Sequence, residues 1–187
     1  MKPIRYAALP GVLLAVSASA LAAGNPSLRE FSETPALVGV GPVYALPQAA
    51  YQPQQQETYN VVFSITKAAA APNEINPSLE EVAHFVNLDA SAGVPLSHLS
   101  LVAVIYEQAS DVALDDEHYR QKYGVANPNL SLIQTLRNAG IDVTVSGQAL
   151  AERHEQYNWI APQVTLALSG VTTITNLEHQ GYVLMPL

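Results

Sequence analysis

The chain has no cysteine. This excludes thiol catalysis, thiolate metal sites, persulfide carriage and disulfides within its 187 residues. Stability must therefore come from a packed core. Charge is scarce too: only 13% of residues are charged, and basic residues number 8 against 16 acidic ones. A chain this acidic repels nucleic-acid phosphates and anionic lipid surfaces, so nucleic-acid binding is excluded. Neither G-x-G-x-x-G nor a P-loop occurs. Nor does the Asp-x-Asp-x-Asp-Gly pattern of a calcium loop. His84, His98, His118, His154 and His179 include no i, i+4 pair of the zinc-helix type. No cofactor and no metal is implied.

Long apolar runs are missing except at the N terminus. Lys2 and Arg5 form a positive start. Residues 7–18 are apolar, interrupted by Pro10 and Gly11, and Ala20-Leu21-Ala22 is a small-residue cleavage pattern. Residues 1–22 are expected to be a signal peptide. The run is short for a span, which needs roughly 20 residues; retention as an uncleaved anchor is the competing reading. Cleavage leaves 187 − 22 = 165 residues with a charge of 6 − 16 = −10, counting histidine as neutral. No membrane span is expected after cleavage.

What is present falls into two parts. Residues 23–58 carry Pro26, Pro35, Pro42, Pro47, Pro53 and the run Gln54-Gln55-Gln56, the composition of an extended arm. Leu37, Val38, Val40, Val43, Tyr44 and Leu46 are expected to pack on the domain or on a neighbouring subunit, and Gln52 to Glu57 to be mobile. Residues 59–187 read as one α/β domain. Strands are expected at 59–65, 99–106, 141–145, 163–168 and 182–185 from β-branched and aromatic runs. Between them lie helical patterns. One starts at Asn76-Pro77, with Ser78 and Glu81 at capping-box spacing. Another starts at Asn127-Pro128-Asn129 and is stopped by Gly140. Residues 111–123 read as a charged surface helix. Strand–helix alternation implies a three-layer α/β/α fold around a mostly parallel sheet of about five strands.

Ligands of open parallel sheets bind beyond the carboxyl ends of the strands. Four ends qualify: Thr66 and Lys67, Glu107 and Gln108, Ser146 to Gln148, and Ser169 with Gly170. Ser146-Gly147-Gln148 sits where a strand turns into a helix, a place whose N–H groups attract anions. Serine hydrolysis is disfavoured there. Thr144 occupies the glycine position of a nucleophile elbow, and His154 would lie ~12 Å away along a helix. The acidic run Asp115, Asp116, Glu117 and His118 reads as a solvated helix face rather than a cation site. Tyr157 and Trp159 either wall a pocket or pack ordinarily.

The run NPNLSLIQTLRNAGIDVTVSGQAL, residues 127–150, resembles the DsrE/DsrF-like family with its YchN-like fold, and in particular its exported members. These share the asparagine-proline-asparagine helix start, the L-x-x-A-G stop and a strand ending in Cys-Gly-Gln. YNVVFSIT at 59–66, the stretch 166–186 and the arm at 37–47 are similar as well. Three positions depart from the family pattern. Ser146 stands for the cysteine, Tyr106-Glu107 for a frequent His-Gly, and Ser64 for a frequent aspartate. The resemblance implies an α/β domain that assembles into trimers or hexamers, with a site at Ser146, Gly147 and Gln148. It does not carry over the sulfur-relay reaction, and no catalytic residue is assigned. The expectation is a periplasmic binding or interaction module, with Ser146, Gly147, Gln148, Glu107 and Thr66 contacting a small-molecule ligand, a sulfur compound or an anion. The alternative is a structural subunit of a homo-oligomer whose chemistry a partner supplies.

Overall fold

The computed structural model describes residues 36–187. The expected signal peptide and the first part of the arm lie outside the described residues. Five strands form one sheet: β1 (Tyr59–Ile65), β2 (Leu99–Ile105), β3 (Asp142–Ser146), β4 (Thr165–Ala167) and β5 (Val183–Pro186). Their order is β4-β3-β2-β1-β5, and every pairing is parallel. The central strands β1 and β2 are continuous apolar runs because helices cover both of their faces.

The helices are α1 (Pro77–Ser91), α2 (Asp116–Tyr123), α3 (Leu130–Asn138), α4 (Gly147–Glu152) and α5 (Gly170–His179). Alternate residues along each strand point to opposite layers. Phe63, Ile65, Ala103, Ile105, Val143 and Val145 join Leu79, Val82 and Val86 of α1, Leu136 of α3 and Leu150 of α4 in the main core. On the other face Val62, Val102 and Val104 meet Ile174 of α5, with Leu177 and Tyr182 beside them. The expected three-layer arrangement is present, with unequal layers.

Local detail differs where tertiary bonds compete with local signals. Asn76, not Ser78, caps α1: its side chain accepts the Ser78 N–H at 2.9 Å. Asn76 is held in place from outside, because its own N–H donates to Asn129 Oδ1 at 2.7 Å and its amide to the Lys67 carbonyl at 2.7 Å. Asn127 accepts the Asn129 N–H and donates to the carbonyls of Val112 and Leu114, tying the start of α3 to the chain after β2.

The expected surface helix at 111–123 splits into a 3-10 turn, Glu107–Ala113, and α2. Asp111 and Tyr119 within it are buried. Asp115 caps α2 by accepting the His118 N–H at 2.8 Å, and Asp116 accepts from Arg120 and from the Asn127 N–H. The acidic run therefore starts a helix. Among the described residues no group of three or more histidine or acidic residues is placed to hold a metal ion.

The arm lies along α1. Asn87 clamps both backbone groups of Leu37, at 2.7 and 3.1 Å, and Val43 is buried. Val38, Tyr44 and Leu46 remain exposed. Gln55, expected in a mobile stretch, is fastened: its amide donates to the Ala92 carbonyl at 2.9 Å and its carbonyl meets His98 Nδ1 at 3.0 Å.

Candidate functional site

The chain leaves β2 and β3 toward the main-core face and leaves β4 into α5 on the opposite face. A crevice opens where neighbouring connections part in this way. It is a cleft of about 240 Å³ lined by Tyr106, Glu107, Ser146, Gln148, Ala149, Glu152, Ser169, Gly170 and Val171. Three of the four expected strand ends thus converge. The fourth does not: Thr66 is absent from this lining, and its carbonyl is occupied by the Ala109 N–H at 3.1 Å.

Ser146 ends β3 and is 3% exposed. Its hydroxyl accepts the Ala149 N–H at 3.2 Å and so caps α4. The Gln148 N–H donates to the Leu168 carbonyl at 3.3 Å. The Gln148 N–H, one of those the sequence offered to an anion, and the neighbouring Ala149 N–H are thus consumed inside the protein. Gly147 serves close packing: a Cβ there would stand 3.1 Å from the Ala167 carbonyl oxygen. Among the described residues the cleft holds two carboxylates, Glu107 and Glu152, and no basic residue. Its electrostatics oppose an anionic ligand and suit an uncharged or cationic one.

The other altered positions fit one another. Ser64 Oγ and Tyr106 Oη share a hydrogen bond of 2.8 Å. The Tyr106 ring lies against Gly170, where a Cβ would approach within 2.5 Å of the ring. Glu107 adopts φ +54°, a left-handed conformation favouring glycine. This is the position at which the resembling sequences often carry glycine. A residue with a side chain held in this conformation stores about 1–3 kcal/mol of strain.

A second polar centre is built around Asp111, and no local sequence motif announces it. Asp111 accepts a bidentate pair from Arg153 at 2.9 and 2.9 Å, meets Lys122 at 2.9 Å and bonds the Tyr123 hydroxyl. Burial pushes the Asp111 carboxyl up, but these donors outweigh it and hold it at about 2. Glu155 meets Lys122 at 2.5 Å, yet its Oε2 is buried with no partner among the described residues. Burial raises its pKa. Trp159 stacks on His118 at 4.7 Å and lines a separate cavity of about 270 Å³ with Lys122, Arg153 and Glu155. It does not wall the Ser146 cleft. Residues 42 and 33 positions apart build this network, a juxtaposition that no local motif records.

The fold and cleft define an α/β domain with an all-parallel sheet and a strand-end crevice that carries no thiol. Residues 50–187 match the DsrE/DsrF-like family, and the chain belongs to that family. Among solved structures it is similar to a protein of unknown function, MTH1491, from Methanobacterium thermoautotrophicum. The two share 19% identity at a TM-score of 0.52, over 69% of this chain and 99% of that one. At that identity the likeness speaks for the fold alone. No curated protein matches the chain.

Proposed function

We propose that this chain is an exported, periplasmic binding module of a family related to sulfur-relay proteins, and that its strand-end cleft accepts an uncharged or cationic group. One observation carries the reading. The residue standing where the resemblance puts the reactive cysteine is a serine whose hydroxyl is buried and committed to a helix cap. The scaffold of the site is retained, its nucleophile is replaced, and the cleft carries Glu107 and Glu152 without a cation. Sulfur transfer through an own thiol is chemically closed to it. Gln148, Ser169 and the two carboxylates are the groups free to orient a ligand.

A second reading has its own support. The two edges of the sheet carry different exposed apolar surfaces. Leu168 and Val171, 74% and 63% exposed, follow β4, while Val183, 65% exposed, lies on β5. Two unlike edges favour head-to-tail association, which closes into a ring when the rotation permits. A trimer or hexamer built this way would make the chain a structural subunit with a partner supplying chemistry.

Native mass spectrometry of protein taken from its exported fraction separates the two. The binding reading expects a chain of residues 23–187 carrying a small adduct that is lost in Gln148→Ala and Glu152→Ala. A ring without adduct that falls apart in Leu168→Asp moves the conclusion to the structural subunit. A monomer without adduct, with its first 22 residues intact, overturns both.

A further inference from the structure

The arm and the carboxyl-terminal half of α1 enclose a second open cavity, remote from Ser146 in the sequence and built from a different set of residues. Its two ends are fastened, at Leu37 by Asn87 and at Gln55 by Ala92 and His98. Between these fixed points the chain from Tyr44 to Pro53 does not fill the space against the helix. A cavity of about 520 Å³ remains, walled by Tyr44, Leu46, Pro47 and Tyr51 on the arm and by Leu88 and Asp89 on α1. That size lies within the roughly 300–1,000 Å³ of ordinary small-molecule sites.

Three features of this cavity have the same sign. Asp89 is 9% exposed, and its Oδ2 is buried with no hydrogen-bond partner among the described residues. A buried carboxylate oxygen without a donor costs about 1–3 kcal/mol or more, so its environment is incomplete. Among the described residues the wall contains no lysine, arginine or histidine. Finally, the end of α1 points its negative dipole at the same place, and the last turn of the helix carries no basic residue. The rest of the wall combines apolar and aromatic side chains with the neutral polar groups of Gln52, Gln55 and Ser91, and tyrosine faces attract organic cations.

We propose that this groove is a binding site for a small organic ammonium ion with an apolar body, its charged head on Asp89 and its body against Tyr44, Leu46 and Tyr51. The site is independent of the strand-end cleft. The arm thereby acquires a role: it forms one wall of a pocket that the α/β domain does not possess alone.

Isothermal titration calorimetry of the full mature chain tests this with 2-phenylethylammonium chloride, using 2-phenylethanol as a neutral probe of the same shape. The ammonium is expected to bind and the alcohol to bind at least roughly tenfold more weakly, the value of one charge-assisted contact. Asp89→Asn should remove that difference without lowering the melting temperature, since it takes away an unpartnered charge. Tyr51→Ala, on a side chain that supports no core packing, should weaken the ammonium by about threefold. Equal binding of the two probes, or unchanged ammonium binding in both variants, overturns the proposal. Arg29, a basic residue of the arm outside the described residues, supplies one more outcome: an Arg29→Ala variant that binds the ammonium more than about tenfold tighter overturns the proposal, because the chain's own guanidinium would then be the natural occupant.

Discussion

The two faces of the sheet are built to different standards. Under α1, α3 and α4 the strands bury Phe63, Ile65, Ile105, Val143 and Val145 in a continuous apolar layer. Under α5 only Val62, Val102, Val104 and Ile174 are buried together, and the layer is interrupted by the hydroxyls of Ser64, Tyr106, Ser100 and Tyr182. One face holds the fold, and the other carries Ser64 and Tyr106, two of the positions that depart from the resembling sequences. A thick core tolerates few changes because each removed methylene leaves a void. A thin, hydroxyl-rich layer can exchange partners while keeping its hydrogen bonds, as Ser64 and Tyr106 do.

The contrast breaks most visibly on truncation. Phe63→Ala should cost about 3–5 kcal/mol, and Ile174→Ala about 2 kcal/mol, because the smaller layer can collapse around the gap. Urea unfolding of both variants measures the difference; equal losses would dissolve the distinction between the faces.

Next in size is the ionic network beside the thick face. Asp111→Asn should cost about 3 kcal/mol, since Arg153 and Lys122 lose their shared counterion. Glu155→Gln should change stability by less than about 1 kcal/mol, because its Oε2 already lacks a partner among the described residues. The pH dependence carries opposite signs. Asp111 is depressed from 3.8 to about 2, so its contribution is present above 3.8 and lost as pH falls through 2. Glu155 is raised above its ordinary 4.5, so stability is present below that value and lost as pH rises through the raised one. Unfolding curves from pH 2 to pH 7 should show Asp111→Asn flattening the acid limb and Glu155→Gln flattening the rise side.

The smallest expected effect is at the hinge between strand β2 and the cleft. Glu107→Gly should be neutral or stabilising by up to about 1 kcal/mol, as φ +54° no longer strains a side chain. A loss of more than about 1 kcal/mol would show that the Glu107 carboxylate makes contacts that outweigh the strain.

Much of this was legible. The runs at 59–65 and 99–105 announce buried parallel strands, and the stripe of Leu132, Ile133 and Leu136 announces the buried face of α3. The convergence of Glu107, Ser146 and Gln148 followed from the rule for parallel sheets. One donor expected to attract an anion is already spent. The N–H of Gln148 is taken by Leu168, twenty residues later, and no local pattern tells that a backbone donor is already spent. Thr66 was placed correctly at a strand end but is absent from the cleft lining, and its carbonyl is bonded to Ala109. Asn127 was read as a cap and acts as a clamp, because its partners Val112 and Leu114 lie on a separate turn.

By itself the sequence determined the chemistry that is absent and the layers that are present. The lack of cysteine closes thiol chemistry whatever the fold, and periodicity of apolar residues dictates which elements form and which sides they bury. The tertiary structure alone decided the sign of each site. Whether a hydroxyl, an amide or a carboxylate is available to a ligand depends on which distant group reaches it first. Asp89 and Asp111 have the same side chain; one has a buried oxygen with no donor among the described residues and the other holds three donors, and only the packing of separate segments distinguishes them.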